Sequence, residues 1–457
     1  MADVANEREA RTEVPSTFGS RLKIVGPGLI MAATGVGAGD MVSSLNAGTV
    51  YGTIFLWAIL VGALVKFYLT EGIGRWYMAT GYTILKGWRS LGRFVSGFFV
   101  IYLLILTFVF GAAAMSASAL AFTAMFPILP LWAWAVLHGI FGFLICITGR
   151  YGLFERVMEF FVALMFVTIV GLAILLAPNL GELAGGLVPT RFPEGSLLSV
   201  LALIGGVGAT FTLASYNYWV RERGWGSPPW IPMMRLDLIV GYALTALFMV
   251  AMLVVGAELL FASGQSISEE AGLVALADPI QERFGVVARW LFLIGFWAAA
   301  TSSIVGAWNG SAYLFADSVR TSRDVPDERA EEYLSEKSVY FRAMLVWISF
   351  PSMLLLFFGE PVLLIIVYAA MGALFLPFLA ITLLWLLNSR RVAPEHRNGI
   401  VSNINPGSLG FALRFSRDTR GTRCRLNHPL PHVAWQPLSA SLSHERLARS
   451  TDALISD

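Results

Sequence analysis

Ionisable side chains are rare in the long apolar stretches of this sequence, and each one standing there marks candidate chemistry, because burying a charge in a membrane is costly. Asp40 is foremost. It closes "GVGAGD" (Gly35–Asp40), in the middle of an apolar run from about Leu22 to Tyr51. A carboxylate there can bind a cation or a proton, or it can cap the amides of a second helical segment starting at "MVSSLNAG". Both roles stand open. Glycine lacks Cβ and is a poor helix former, so a Gly-x-Gly-x-Gly run lets a helix unwind and frees carbonyls and amides. Lipid cannot satisfy those groups, so such a break must be buried in protein or face a water-filled cavity. "GVGA" recurs at Gly206–Ala209, followed by hydroxyls at Thr210 and Thr212. Two such breaks at matching places predict a substrate site between them, although glycines also serve close helix packing.

Other side chains carry weaker signals. Lys66, Glu71 and Arg75 share one apolar run, with Glu71 and Arg75 spaced i, i+4 as in a structural or gating ion pair. His138 is a lone histidine, read as a packing residue. Glu258 and Asp317 stand near run ends. Phe211, Tyr216, Tyr218, Trp219, Trp297 and Trp308, with Asn217, Asn309, Ser302 and Ser303, are candidates to line a pocket for a small organic solute. Packing or an interfacial belt is the alternative for those aromatics. The glycines are no dinucleotide fingerprint: no strand precedes them and the spacing is not Gly-x-Gly-x-x-Gly. No zinc-protease motif, paired catalytic carboxylates or cofactor motif points to an enzyme.

The elements that must position these residues follow from composition. Of 457 residues 56% are hydrophobic and 14% charged, with a mean hydropathy of +0.69, which predicts an all-α polytopic membrane protein in a lipid bilayer. Spans are expected near 24–50, 54–79, 95–125, 129–149, 153–177, 196–220, 236–262, 286–316, 338–358 and 361–387, ten in all. Lys86–Arg93 and Ser266–Phe284 read as amphipathic and interfacial. With the N-terminus inside, the predicted inner loops hold most of the basic residues (Lys86, Arg89, Arg93, Arg150, Arg156, Arg221, Arg223, Arg235, Arg320, Arg323, Arg329, Lys337, Arg342), and the outer loops hold Arg191, Arg283 and Arg289. This asymmetry supports an even span count, with both termini cytoplasmic, in an inner or plasma membrane. The expected organisation is a cytoplasmic segment 1–23, a five-helix repeat 24–177, an inverted five-helix repeat 196–387 and a cytoplasmic tail 388–457, with the first and sixth helices broken by the glycines.

A net charge of +2 suggests no nucleic-acid surface, and Cys146 and Cys424 form no disulfide framework. The N-terminus lacks the pattern of a secretory signal. In the tail, "RNGIVSNINPGSLGFALRF" starts like an eleventh helix and then loses its apolar character, consistent with a frame shift near Asn405 or with disorder. Cys424, His428 and His432 have a suggestive spacing, but Pro429 and Pro431 bar a helix there.

The stretches "GPGLIMAATGVGAGDMVSSLNAGTVYG" from Gly26, "LIGGVGATFTLASYNYW" (Leu203–Trp219) and "GFWAAATSSIVGAWNGS" (Gly295–Ser311) resemble the NRAMP family of divalent-metal transporters, which has a LeuT-like fold. The resemblance implies two inverted five-helix repeats holding an ion between unwound helices one and six. It also implies a substrate site around Gly37, Asp40, Ala209 and Thr212, with Asp40, Ala209 and Thr212 as metal ligands; Asn217 and Asn309, near the expected cavity, are further candidate substrate contacts on their own residue type. The motifs themselves differ. Where the family has Asp-Pro-Gly-Asn, this chain has Gly37-Ala38-Gly39-Asp40, so the metal-binding aspartate falls on Gly37 and the asparagine on Asp40. Where the family has Ala-Thr-x-Met-Pro-His, Ala209 and its ligand carbonyl are kept, while Thr212 and Ala214 replace methionine and histidine. Losing the soft thioether leaves oxygens, which suit hard ions such as magnesium. The residues that the family links to proton movement are missing, so the coupling ion, proton or sodium, stays open, as does a small organic solute in place of a metal. No resident cofactor is implied.

Overall fold

A computed structural model describes residues 15, 18–22, 24–176, 178–208, 210–261, 277–358 and 361–398. Ala209, most of segment 1–23, residues 266–276 and the tail from Gly399, with Cys424, His428 and His432, lie outside the described residues. Every regular element among the described residues is a helix.

The first apolar run forms two helices, α1 (Pro27–Gly35) and α2 (Ala38–Tyr51), bent by 64° at the glycines. There follow α3 (Leu56–Thr80), α4 (Ile84–Leu91), α5 (Arg93–Met125) and α6 (Leu131–Ile147). Next, α7 (Tyr151–Met165) runs through a π-helical turn at Phe166–Val170 into α8 (Gly171–Leu175), and α9 (Leu180–Gly186) is a short connector. The second glycine run splits its segment into α10 (Leu197–Gly206), a 3-10 turn (Phe211–Ser215) and α11 (Tyr216–Glu222). The chain continues with α12 (Ile231–Leu260), α13 (Ala277–Ser322), α14 (Ala330–Leu334), α15 (Val339–Ser349) and α16 (Pro361–Leu387).

Among the described residues, six continuous segments are long and apolar enough to cross a membrane, and the bent pair α1–α2, taken as one span, makes a seventh. Two expected spans are shorter or interrupted for physical reasons: α6 has 17 residues, and the run after Leu197 is broken at its glycines. The last stretch of the ninth expected span, Pro351–Phe358, is 3-10 helix, entered at a proline that cannot continue the α-helical hydrogen bonding. The interfacial reading of Lys86–Arg93 corresponds to α4. Its N-cap Thr83 accepts from the Lys86 amide, its Ile84, Leu85 and Trp88 are buried, and the Trp88 indole donates to Thr382 on α16 at 2.9 Å.

Backbone-to-backbone packing holds the first span against α12. A Cβ at Gly48 would strike the Leu253 carbonyl, and one at Gly256 would strike the Leu45 carbonyl. The two helices therefore approach through small residues, as membrane helices do. Asp237 of α12, fully buried, accepts from the Gly26 amide at 3.0 Å and from the Tyr216 hydroxyl at 2.8 Å, tying the start of α1 to α11.

Ion pairs gather on the elements that the basic-residue count assigns to one side. Arg89 meets Asp324 at 2.7 Å, Arg320 meets Asp317 at 2.7 Å and Asp327 at 2.9 Å, Arg221 meets Glu331 at 2.5 Å, and Lys86–Asp327 and Arg223–Glu155 are also paired. Glu71 takes Arg75 at 3.1 Å, the i, i+4 pair expected, and also Arg235 at 2.8 Å. A cavity of about 450 Å³ beside this cluster is lined by Arg75, Ile231, Arg235, Glu395, His396 and Arg397, none of them at the helix breaks.

Candidate functional site

At the first break, the carbonyls freed at the end of α1 are answered one by one. Ala32 accepts from the Val36 amide, and Gly35 from the Gly37 amide, both at 2.9 Å. Ala33 accepts from Ser302 Oγ at 2.9 Å, and Thr34 from Ser303 Oγ at 3.1 Å. Two α13 serines expected as solute contacts therefore satisfy backbone that lipid could not. Gly37 is the N-cap of α2, in extended backbone. Asp40 lies in the first turn of α2, where its charge complements the helix N-terminus, and is only 5% exposed. Its carboxylate does more than serve its own helix: Oδ2 accepts from the Gly208 amide of the second break at 3.2 Å.

At the second break, Gly208 has φ +70°, a left-handed conformation that glycine alone adopts without strain. The side chain that meets the opened backbone is Lys66 of α3, fully buried. Its ammonium donates to the Gly205 carbonyl at 2.7 Å, to the Gly208 carbonyl and to Thr210 Oγ1 at 3.3 Å. The two breaks thus meet at one residue, Gly208, whose amide faces a carboxylate and whose carbonyl faces an ammonium. Tyr368 of α16 lies over this region, 3.8 Å from where a Cβ on Gly39 would stand.

The other expected site residues sort differently. Thr212 is buried in the 3-10 turn of the second break. Asn217 and Asn309 are held elsewhere: Asn217 Oδ1 accepts from the Ile84 amide at the start of α4 at 3.0 Å, and Asn309 Oδ1 accepts from the Trp219 indole at 2.9 Å while its amide donates to Glu336 at 3.3 Å. The aromatics proposed for a solute pocket use their polar atoms on protein too. Tyr216 bonds Asp237, Tyr218 bonds Asp317, Trp308 bonds Ser349, and Trp297 donates to His138 Nε2 at 2.7 Å. His138 Nδ1 pairs with the Trp134 carbonyl, so both ring nitrogens are engaged in packing. Among the described residues no group of three or more His, Cys, Asp or Glu side chains is placed to hold a metal ion. A cation at the breaks would find one carboxylate, hydroxyls and carbonyls. Sequence reasoning names Lys66 only beside a gate pair and passes over Asp237 and Tyr368. The i, i+4 spacing of Gly62 and Lys66 is the available signal for the lysine, since it places both on one face of α3.

Interrupted membrane helices whose opened backbones face each other around buried charge define the class of membrane transporters. Within that class the chain belongs to the family described as "Natural resistance-associated macrophage protein-like" (Nramp), which matches residues 28–413. The divalent metal cation transporter MntH of Chromohalobacter salexigens is 28% identical over 305 residues, covering 63% of this chain and 69% of that protein. MntH of Mycobacterium tuberculosis is 25% identical over 309 residues, covering 64% and 69%. Among solved structures, a manganese transporter of Eremococcus coleocola superposes with a TM-score of 0.71 at 16% identity, covering 89% of this chain and 88% of that one. A nucleobase-cation-symport-1 family transporter, solved closed with bromovinylhydantoin bound, gives a TM-score of 0.52 at 14% identity, covering 89% and 90%. These last two likenesses concern the fold.

Proposed function

We propose that the protein is a secondary-active transporter that alternates access around the paired breaks, with its substrate held between α1–α2 and α10–α11. The observation that carries this reading is the meeting of both breaks at Gly208, where Asp40 bonds the amide. Ten spans in two inverted five-helix repeats, 24–177 and 196–387, suit the arrangement. The seven segments that qualify by length, joined by α6, the interrupted run Leu197–Glu222 and α16, support that count. The excess of Lys and Arg in alternate loops supports an inner end holding both termini. Kinship with MntH proteins favours a divalent metal cation as substrate, and an all-oxygen site around Asp40 and Thr212 favours a hard one. Ala209 would add its carbonyl, and Gly37 the backbone of the first break.

A second reading, a small organic solute carried on the same fold, is favoured by Lys66, whose charge already stands at the second break. Uptake into proteoliposomes of manganese, magnesium and a panel of organic acids, with wild type beside Asp40→Ala, separates the two. The metal reading expects saturable metal uptake that Asp40→Ala abolishes. Metal flux unchanged in Asp40→Ala removes Asp40 from the site, and saturable solute uptake without metal flux replaces the metal reading.

A further inference from the structure

A lysine in the middle of a membrane helix needs partners, since an isolated ammonium cannot be buried in an apolar interior. Lys66 has them at the second break. An ammonium offers three N–H donors, and here they find three oxygens: the carbonyls of Gly205 and Gly208 and the hydroxyl of Thr210. Thr210 Oγ1 in turn donates to Gly205 at 3.4 Å, so the oxygens belong to one linked set. The carbonyls lie at the C-terminal, electronegative end of α10, which ends at Gly206. The Asp40 carboxyl of α2 reaches the same turn, anchored on the Gly208 amide. Carbonyls, a hydroxyl and a nearby carboxylate are what a hard metal ion takes as ligands.

The approach of α3 is built for this contact. Gly62 stands one turn before Lys66 on the same face, and a Cβ there would come within 2.7 Å of Val207 and 2.8 Å of the Ile204 carbonyl. Without that Cβ, the backbone of α3 comes down onto the end of α10 and the lysine stem reaches the opened turn.

We propose that the Lys66 ammonium is the resident cation of the second break, a tethered competitor that fills the oxygen set, so that a free hard cation binds there tightly only when the ammonium is removed. This rests on reading the breaks as the substrate site, but it concerns occupancy rather than transport. It reverses the ordinary expectation for a polar residue at a binding site: deleting it strengthens cation binding.

The test is binding of magnesium, manganese and sodium to purified full-length protein, read by calorimetry and by cation-dependent thermal unfolding. The variants are Lys66→Met, Lys66→Gln, Lys66→Arg and the double variant Lys66→Met/Asp40→Asn. At least one cation is expected to bind Lys66→Met and Lys66→Gln about tenfold or more tightly than wild type, equivalent to about 1.4 kcal/mol. Lys66→Arg, which keeps the charge, shows no gain, and the Asp40→Asn change cancels it. Variants that melt cooperatively yet bind every cation no tighter than wild type overturn the proposal. A Lys66→Met protein that folds only with one of these cations present supports it, and one that no cation rescues overturns it. Tighter binding without uptake of any substrate would sink the transporter reading alone. Metal uptake by wild type with no gain on removing Lys66 would sink this proposal alone.

Discussion

Gly208 concentrates the residue-scale argument, because one amino acid must turn its amide to Asp40 and its carbonyl to Lys66. Its φ of +70° makes that possible, and an L side chain there costs roughly 1–2 kcal/mol. Gly208→Ala is therefore expected to lower the thermal midpoint, whereas Gly205→Ala, helical and with open space at its Cβ, is expected to be neutral or slightly stabilising. Equal effects in a melting experiment would refute the special role of Gly208. Asp237 is the second residue whose loss should be felt. Asp237→Ala strands the Gly26 amide and the Tyr216 hydroxyl in a buried setting, at about 1–3 kcal/mol for each unsatisfied group, a destabilisation measurable by the same melts.

Among the elements, the pair α2 and α12 depends on close backbone approach. Gly256→Leu would drive a side chain into the Leu45 carbonyl and should reduce folded yield and stability by about 1–3 kcal/mol or more, while Gly97→Leu on the exposed face of α5, with nothing nearby, should behave as wild type in size-exclusion and melting assays. Helix ends are partly legible in the sequence: "GVGA" announces both breaks because glycine frees backbone wherever it stands. What answers the freed groups is hidden, since Ser302 and Ser303 lie far along the chain from Ala33 and Thr34 and look like any small polar residues of a packed helix. The same holds for Asn217, which reads as a site residue from its nearness to the break and instead secures the first amide of α4.

Across the whole molecule, the ion pairs among α4, α13 and the segment leading to α15 bind one end of the bundle together. Asp324 shows how this closure should respond to pH. The hydrogen bond from Arg89 holds its carboxyl below the usual carboxylate range, slight burial opposes this, and the charges of Arg89 and Arg93 reinforce it. A carboxyl with a depressed folded-state value contributes stability above its unfolded value and loses it as pH falls through the folded one. Asp324→Asn should thus separate from wild type in thermal midpoint at neutral pH, with the gap closing as pH falls to about 4 and below. A gap that persists in acid, or widens, would contradict this assignment.

Composition, hydropathy and the repeated glycines by themselves determined an all-helical membrane chain with two interrupted segments and a carboxylate at the first, because a bilayer tolerates few solutions and glycine acts locally. Tertiary structure alone decided that both interruptions meet at Gly208 and that Lys66, from a third helix, fills the oxygens there. That meeting depends on how closely α3 approaches α10, a distance set by packing between segments about 140 residues apart, which no local pattern encodes.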